Sequence, residues 1–163
     1  MTIRLLLCAL VATISLALSV WFAGTEVEVV GFYEKNLRGN LFAGFLTVGG
    51  FLLSLKTFIV IKLKENVYGH RDYKALFDSQ KKLDSSIRLY DPLRNLSEFL
   101  YWSVLSSIVA AIAQLTIGLF GNYWLTLLAI WFAVFAMSVL VASLLLIKRS
   151  LNDWFEFINR VDS

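Results

Sequence analysis

Only one cysteine, Cys8, occurs in the chain, so no internal disulfide can form and no cysteine zinc cluster can be built. His70 is the single histidine. No second histidine or cysteine lies near it to complete a metal site, and a solvated surface side chain is the plain reading. Charge is scarce too, at 17% of residues against about 25% in an average soluble domain. The shortage is local: Arg4 to Glu26, Arg38 to Lys56 and Glu98 to Lys148 carry no formal charge between their end residues. Proton- or cation-coupled transport commonly uses an intramembrane carboxylate, and these runs hold none. No Ser/His/Asp arrangement, phosphate-cradling glycine loop or zinc-protease motif can be assembled. Gly49-Gly50 lies inside an apolar run and cannot hold a nucleotide there. These absences argue against an enzyme and leave no cofactor or metal to propose.

What is present is apolar chain. Of the 163 residues, 58% are hydrophobic, and a helix in water needs a polar face that such runs cannot supply. Crossing the roughly 30 Å hydrocarbon core takes about 20 mostly apolar residues. Residues 5–23, 41–61, 99–120 and 123–147 meet that requirement, with Lys56 the one interruption and Gly121-Asn122 the turn between the last two. The expected fold is therefore all-α: one membrane domain over 1–163, a four-transmembrane-helix bundle with cytoplasmic helical extensions.

Lysine and arginine near span ends set the orientation. Arg4, the eight basic residues of 62–97 and the three of the tail fall on one side, against Lys35 and Arg38 on the other. Multi-pass insertion is expected, with both termini and the 62–97 loop cytoplasmic and the 24–40 and 121–122 connections outside. The first run has a rival reading as a signal peptide, with Arg4 as its charged region and Ala17-Leu18-Ser19 as a cleavage site.

Within the long loop, Tyr73, Leu76, Phe77, Leu83, Ile87 and Tyr90 recur at three- and four-residue spacing, which predicts an amphipathic helix over about 71–90. Asp91-Pro92 suits an N-cap and a first helical position, so the third long helix begins near Pro92. Leu151, Trp154, Phe155, Ile158 and Val161 continue a helical stripe through 148–163. Trp21, Tyr101, Trp102, Tyr123 and Trp124 sit near span ends, where aromatic rings prefer the headgroup zone.

Two intramembrane features could carry function. Lys56 lies six residues before Lys62, about 9 Å along a helix. Its ammonium can snorkel to the cytoplasmic boundary, or serve a pore, lipid-headgroup or gating role. In the third span, Ser103, Ser107 and Ala111 form one row, and Ser106, Ala110, Gln114 and Gly118 another beside it. Small and hydroxyl-bearing residues let helix backbones approach and bond. This face reads as packing within or between protomers, or as the lining of a narrow pore. Ala9, Thr13 and Ala17 on the first run, and Ala129, Ala133 and Ala136 on the fourth, add small faces, so a homo-oligomer is expected.

The basic loop interleaves acids and lacks the dense patch of a nucleic-acid surface, so direct nucleic-acid binding is not expected. Its cations draw it toward anionic lipid at roughly 1 kcal/mol per basic residue. Its apolar stripe needs a partner, which the chain's own C-terminal helix, a neighbouring protomer, the membrane or a soluble protein could supply; the preferred reading is a docking surface for a cytosolic protein, with Tyr73, Phe77, Leu83 and Ile87 as the docking residues. The reading is thus a non-enzymatic oligomeric sensor or scaffold. The alternative is an oligomeric ion channel lined by the third span, with Lys56 near its inner mouth.

The run Gly49-Gly50-Phe51-Leu52-Leu53-Ser54-Leu55-Lys56-Thr57-Phe58 leads into Glu65-Asn66-Val67-Tyr68, then a helical loop and two closely spaced spans. In these residues and in architecture the chain resembles the KwaA family, the membrane subunits of the bacterial Kiwa anti-phage defence system. The resemblance carries over no functional residue. It implies an oligomeric membrane sensor of phage infection, partnered with a cytoplasmic DNA-binding effector.

Overall fold

The computed structural model describes residues 2–22, 25–63, 65 and 91–161. All regular structure among them is helical: α1 (Thr2–Phe22), α2 (Glu26–Phe32), α3 (Arg38–Leu63), α4 (Asp91–Leu115) and α5 (Tyr123–Val161). A π-helical turn, Tyr33–Leu37, joins α2 to α3, and a 3-10 turn, Ile117–Leu119, follows α4. Four helical stretches are long and apolar enough to cross a membrane: Ile3–Trp21, Glu26–Lys62, Leu93–Leu119 and Tyr123–Asn152. The expected loop helix over 71–90, with Tyr73, Phe77, Leu83 and Ile87, lies outside the described residues.

Residues 24–40, read from sequence as a connection, are helical from Glu26 onward. Thr25 and Glu28 explain the start, since the Thr25 N–H donates to Glu28 Oε2 at 3.0 Å and the Glu28 N–H to the Thr25 carbonyl at 3.1 Å. This reciprocal pairing satisfies donors that the first helical turn leaves orphaned. At the far end of α4 the α-helix stops at Leu115, short of the expected 120, and the backbone tightens into the 3-10 turn.

Helix α4 is the centre of the bundle, packed against α3 on one side and α5 on the other, while α1 lies mainly along α5. The pairs run antiparallel. Leu55, Ile59 and Val60 at the end of α3 pack with Leu93, Leu96 and Leu100 at the start of α4, beside Ile147 late in α5. Phe45 early in α3 packs with Ala110 and Ala111 of α4 and with Ala133 and Ala136 of α5. Trp131 Nε1 donates to Thr13 Oγ1 at 3.2 Å, and Leu7 and Cys8 line the same groove as Val141 and Leu145. Arg4, Lys62, Arg94 and Lys148 therefore gather at one end of the bundle. Glu26, Glu28 and Glu34 belong to the other.

Burial is distributed by size in an unusual sense. Ala12, Ala110, Ala129 and Ala136 are completely buried, as are Ser103 and Ser107, whereas Leu6, Phe51, Phe58 and Leu144 are all at least 60% exposed. Small side chains share the interior with a few large ones, among them Leu96, Phe99 and Leu100, and many large apolar residues cover the exterior. Close backbone approach takes the place of interdigitating bulk: a Cβ on Gly49 would lie 3.4 Å from Ser107 Cβ, at ordinary contact.

Candidate functional site: the buried polar face of the central helix

The residues singled out on the third span share one face of α4, and that face is turned into the protomer. Ser103, Ser107 and Gln114 have no exposed surface, and Ala111 has 1%. Each serine first satisfies itself on its own helix, Ser103 Oγ donating to the Phe99 carbonyl at 2.9 Å and Ser107 Oγ to the Ser103 carbonyl at 3.0 Å. Such back-bonding one turn earlier lets a hydroxyl sit inside a helix without leaving a donor unpaired. Ser103 also meets the Ser143 hydroxyl of α5, and Ser143 in turn donates to the Val139 carbonyl at 2.9 Å.

Gln114 is the junction of this face. Its Nε2 donates to the Ala129 carbonyl of α5 at 2.9 Å, and its Oε1 accepts from the Tyr33 hydroxyl at 2.6 Å. The chemistry sets the amide's orientation, because the Ala129 carbonyl can only accept and must face the NH2 group. One amide thus ties the π turn, α4 and α5 together at a single level. Tyr33 reaches it because a π turn, which holds an extra residue in the helical ladder, carries the tyrosine. Its ring is 1% exposed and rests against Gly118, where a Cβ would run into the hydroxyl. Arg38 Nη1 donates to the Gly118 carbonyl at 3.4 Å, closing the same corner. On α5, Thr126 is fully buried and its Oγ1 has no hydrogen-bond partner among the described residues.

Lys56 lies toward the basic end of α3, half-buried, with Nζ 5.1 Å from the centroid of the Tyr101 ring. A cation over a ring at this distance is attracted by about 0.5–1 kcal/mol at an exposed site. At the opposite end, a cleft of about 500 Å³ opens between α2 and the turn before α5, lined by Glu26, Glu34, Asn122 and Trp124 among others.

This arrangement brings together Ser103, Ser107, Ala111 and Gln114, but not Lys56. Tyr73, Phe77, Leu83 and Ile87 lie outside the described residues. Among the described residues no group of three or more His, Cys, Asp or Glu could hold a metal ion. Tyr33, Ser143 and Thr126 escaped the sequence reading. Tyr33 sits among Glu34, Lys35 and Arg38, which read as a solvated connection, and Ser143 is a single hydroxyl in an otherwise aliphatic run. The hydroxyls of Ser103, Ser107 and Ser143 and the amide of Gln114 all find hydrogen-bond partners within the protomer. No family model, no curated protein and no solved structure matches the chain.

Proposed function

We propose that this chain is a non-enzymatic, oligomeric sensor or scaffold of a bacterial inner membrane, which recruits a cytosolic protein through the segment between α3 and α4. The observation that carries the reading is the collection of basic residues at one end of four apolar helices, around the loop that holds the docking stripe. Basic ends stay cytoplasmic, so that loop and both termini face the cytosol. The many large apolar side chains on the outside of the bundle support lipid as its solvent, since water-soluble monomers rarely expose wide apolar patches. The buried polar face favours a structural role, because its hydroxyls and its amide are engaged within the protomer. The likeness to the KwaA family extends the proposal to the membrane component of an anti-phage defence complex whose partner is a DNA-binding effector.

Affinity purification from the native host in mild detergent, followed by mass spectrometry, tests the reading. A cytosolic protein should co-purify, and be lost when Tyr73, Phe77 and Leu83 are replaced by Asp. Recovery of the chain alone at endogenous levels overturns the scaffold, and ion conductance in a planar bilayer, altered by Gln114→Leu, would put the channel in its place.

A further inference from the structure

Helices α1 and α5 enclose a groove of about 420 Å³ that opens to the outside of the bundle. Cys8, Val11 and Ser15 form one wall and Val134, Val141 and Leu145 the other. It lies beside the main contact that α1 makes with the rest of the protomer. The lining is hydrocarbon: Ser138, which also borders it, turns its hydroxyl back on its own helix and donates to the Val134 carbonyl at 2.9 Å. From Val134 to Leu145 the wall runs roughly 16 Å at 1.5 Å per residue. One leaflet of a 30 Å hydrocarbon core is about 15 Å deep. Ser15 and Val134 stand near the middle of their apolar stretches, and Cys8 and Leu145 nearer the basic end. The groove therefore occupies one leaflet, the one at that end.

There the groove is prolonged by charge. Arg4 precedes Cys8 by four residues, and Lys148 and Arg149 follow Leu145 by three and by four. Residues three or four apart share a helix face, so each wall carries a cation one turn beyond its apolar lining. Arg4 opens the uncharged run that reaches Glu26, and Lys148 closes the one that starts at Glu98. Charges that bound an apolar span lie at the level of the lipid headgroups. Arg4, Lys148 and Arg149 are all exposed there.

We infer that this groove binds one anionic phospholipid of the adjoining leaflet, its acyl chain between α1 and α5 and its phosphate held by Arg4, Lys148 and Arg149. The inference goes beyond the scaffold reading and rests on its membrane premise. Lipid fills any groove between membrane helices, so an acyl chain alone gives no selectivity. The cations supply it. A guanidinium presents a planar fork that matches two phosphate oxygens, and a lysine adds a point charge. Basic pockets between membrane helices take anionic headgroups in this way. A zwitterionic lipid carries its own ammonium to the same place and forfeits the advantage. A free glycerol phosphate brings the charge without the chain, and the groove does nothing for it.

Native mass spectrometry of the full chain from a non-ionic detergent is the test, with dioleoyl phosphatidylglycerol, dioleoyl phosphatidylcholine and glycerol phosphate as probes. One phosphatidylglycerol should bind per chain, about tenfold or more tighter than phosphatidylcholine, and glycerol phosphate should not bind. Arg4→Gln and Lys148→Gln should each weaken phosphatidylglycerol about fivefold, which is about 1 kcal/mol per basic residue, and leave phosphatidylcholine unchanged. Both side chains are exposed, so the fold is not at stake. Val141→Trp, at a wall residue 54% exposed, should fill the groove and remove phosphatidylglycerol although every cation remains. Equal affinity for the two lipids overturns the site, as does uptake untouched by Val141→Trp. So does an equal loss from Lys62→Gln or Arg94→Gln, which stand at the same end on α3 and α4 and pair with Glu65 and Glu98; that result marks general attraction to anionic lipid. A second copy in the groove, seen as a dimer that takes up no lipid, overturns it too. Two failures are separable: a chain in the membrane fraction that ignores phosphatidylglycerol refutes only this site, and a chain that stays in solution without detergent or lipid refutes the membrane premise.

Discussion

Tyr33 and Gln114 meet through a 2.6 Å hydrogen bond inside the bundle although 81 residues separate them along the chain. Because Gln114 also binds the Ala129 carbonyl, this one contact couples the placement of three helical segments. It makes the amide the most informative residue to perturb.

Tyr33→Phe removes the donor and leaves a buried amide oxygen unpaired. Stability in detergent should fall by about 1 kcal/mol, within the range for a lost buried hydrogen bond and near what membrane interiors return. Gln114→Leu strands two partners and should cost more. The double variant should lose less than the two single losses together, the signature of residues that share one interaction. Thermal unfolding of the purified protein measures all three.

Gly118→Ala should be among the most damaging single-methyl additions in the protein. The new Cβ runs into the Tyr33 hydroxyl, and overpacking of this kind costs about 1–3 kcal/mol. Gly44→Ala is the contrast, since a Cβ there meets nothing within 4 Å. Helix propensity alone then applies, and Gly44→Ala should raise stability by up to about 1 kcal/mol. The difference between the two melting temperatures is the readout.

Thr126→Val should stabilise. The hydroxyl is fully buried and unpartnered among the described residues, and the isosteric methyl removes a desolvation cost of about 1–3 kcal/mol without opening a void. An unchanged or lower melting temperature would mean that the hydroxyl has found a partner in the folded protein.

Lys56→Met keeps the length of the side chain and deletes the charge over the Tyr101 ring. A loss of about 0.5–1 kcal/mol is expected at this half-buried site, and Tyr101→Leu should produce a similar loss that does not add to it. A double-mutant cycle on unfolding free energy checks the pair.

Much of the architecture was legible because lipid-length helices announce themselves through missing charge. The uncharged runs from Arg4, Arg38 and Glu98 onward mark the four long helices, and the described part of α4 already includes Asp91 and the single proline beside it. Period alone put Ser103, Ser107, Ala111 and Gln114 on neighbouring rows, and the fold buries them together. It could not say which helices would cover them, since pairing depends on contacts far apart in the chain. Tyr33 was hidden for a different reason. Its neighbours carry the charges of an exposed connection, while a π turn, which has no sequence period of its own, rotates the ring inward.

The small residues where α4 meets α5 invert the usual mutational logic at that one level of the bundle. Around Leu96, Phe99 and Leu100, deletion of a methyl group is the expected injury, as in any core. At Ala110, Ala129 and Ala136 there is almost nothing to lose, and enlargement is the injury, because each extra carbon wedges two helices apart. Drift should therefore be free among the oily residues on the outside and tightest at these smallest side chains.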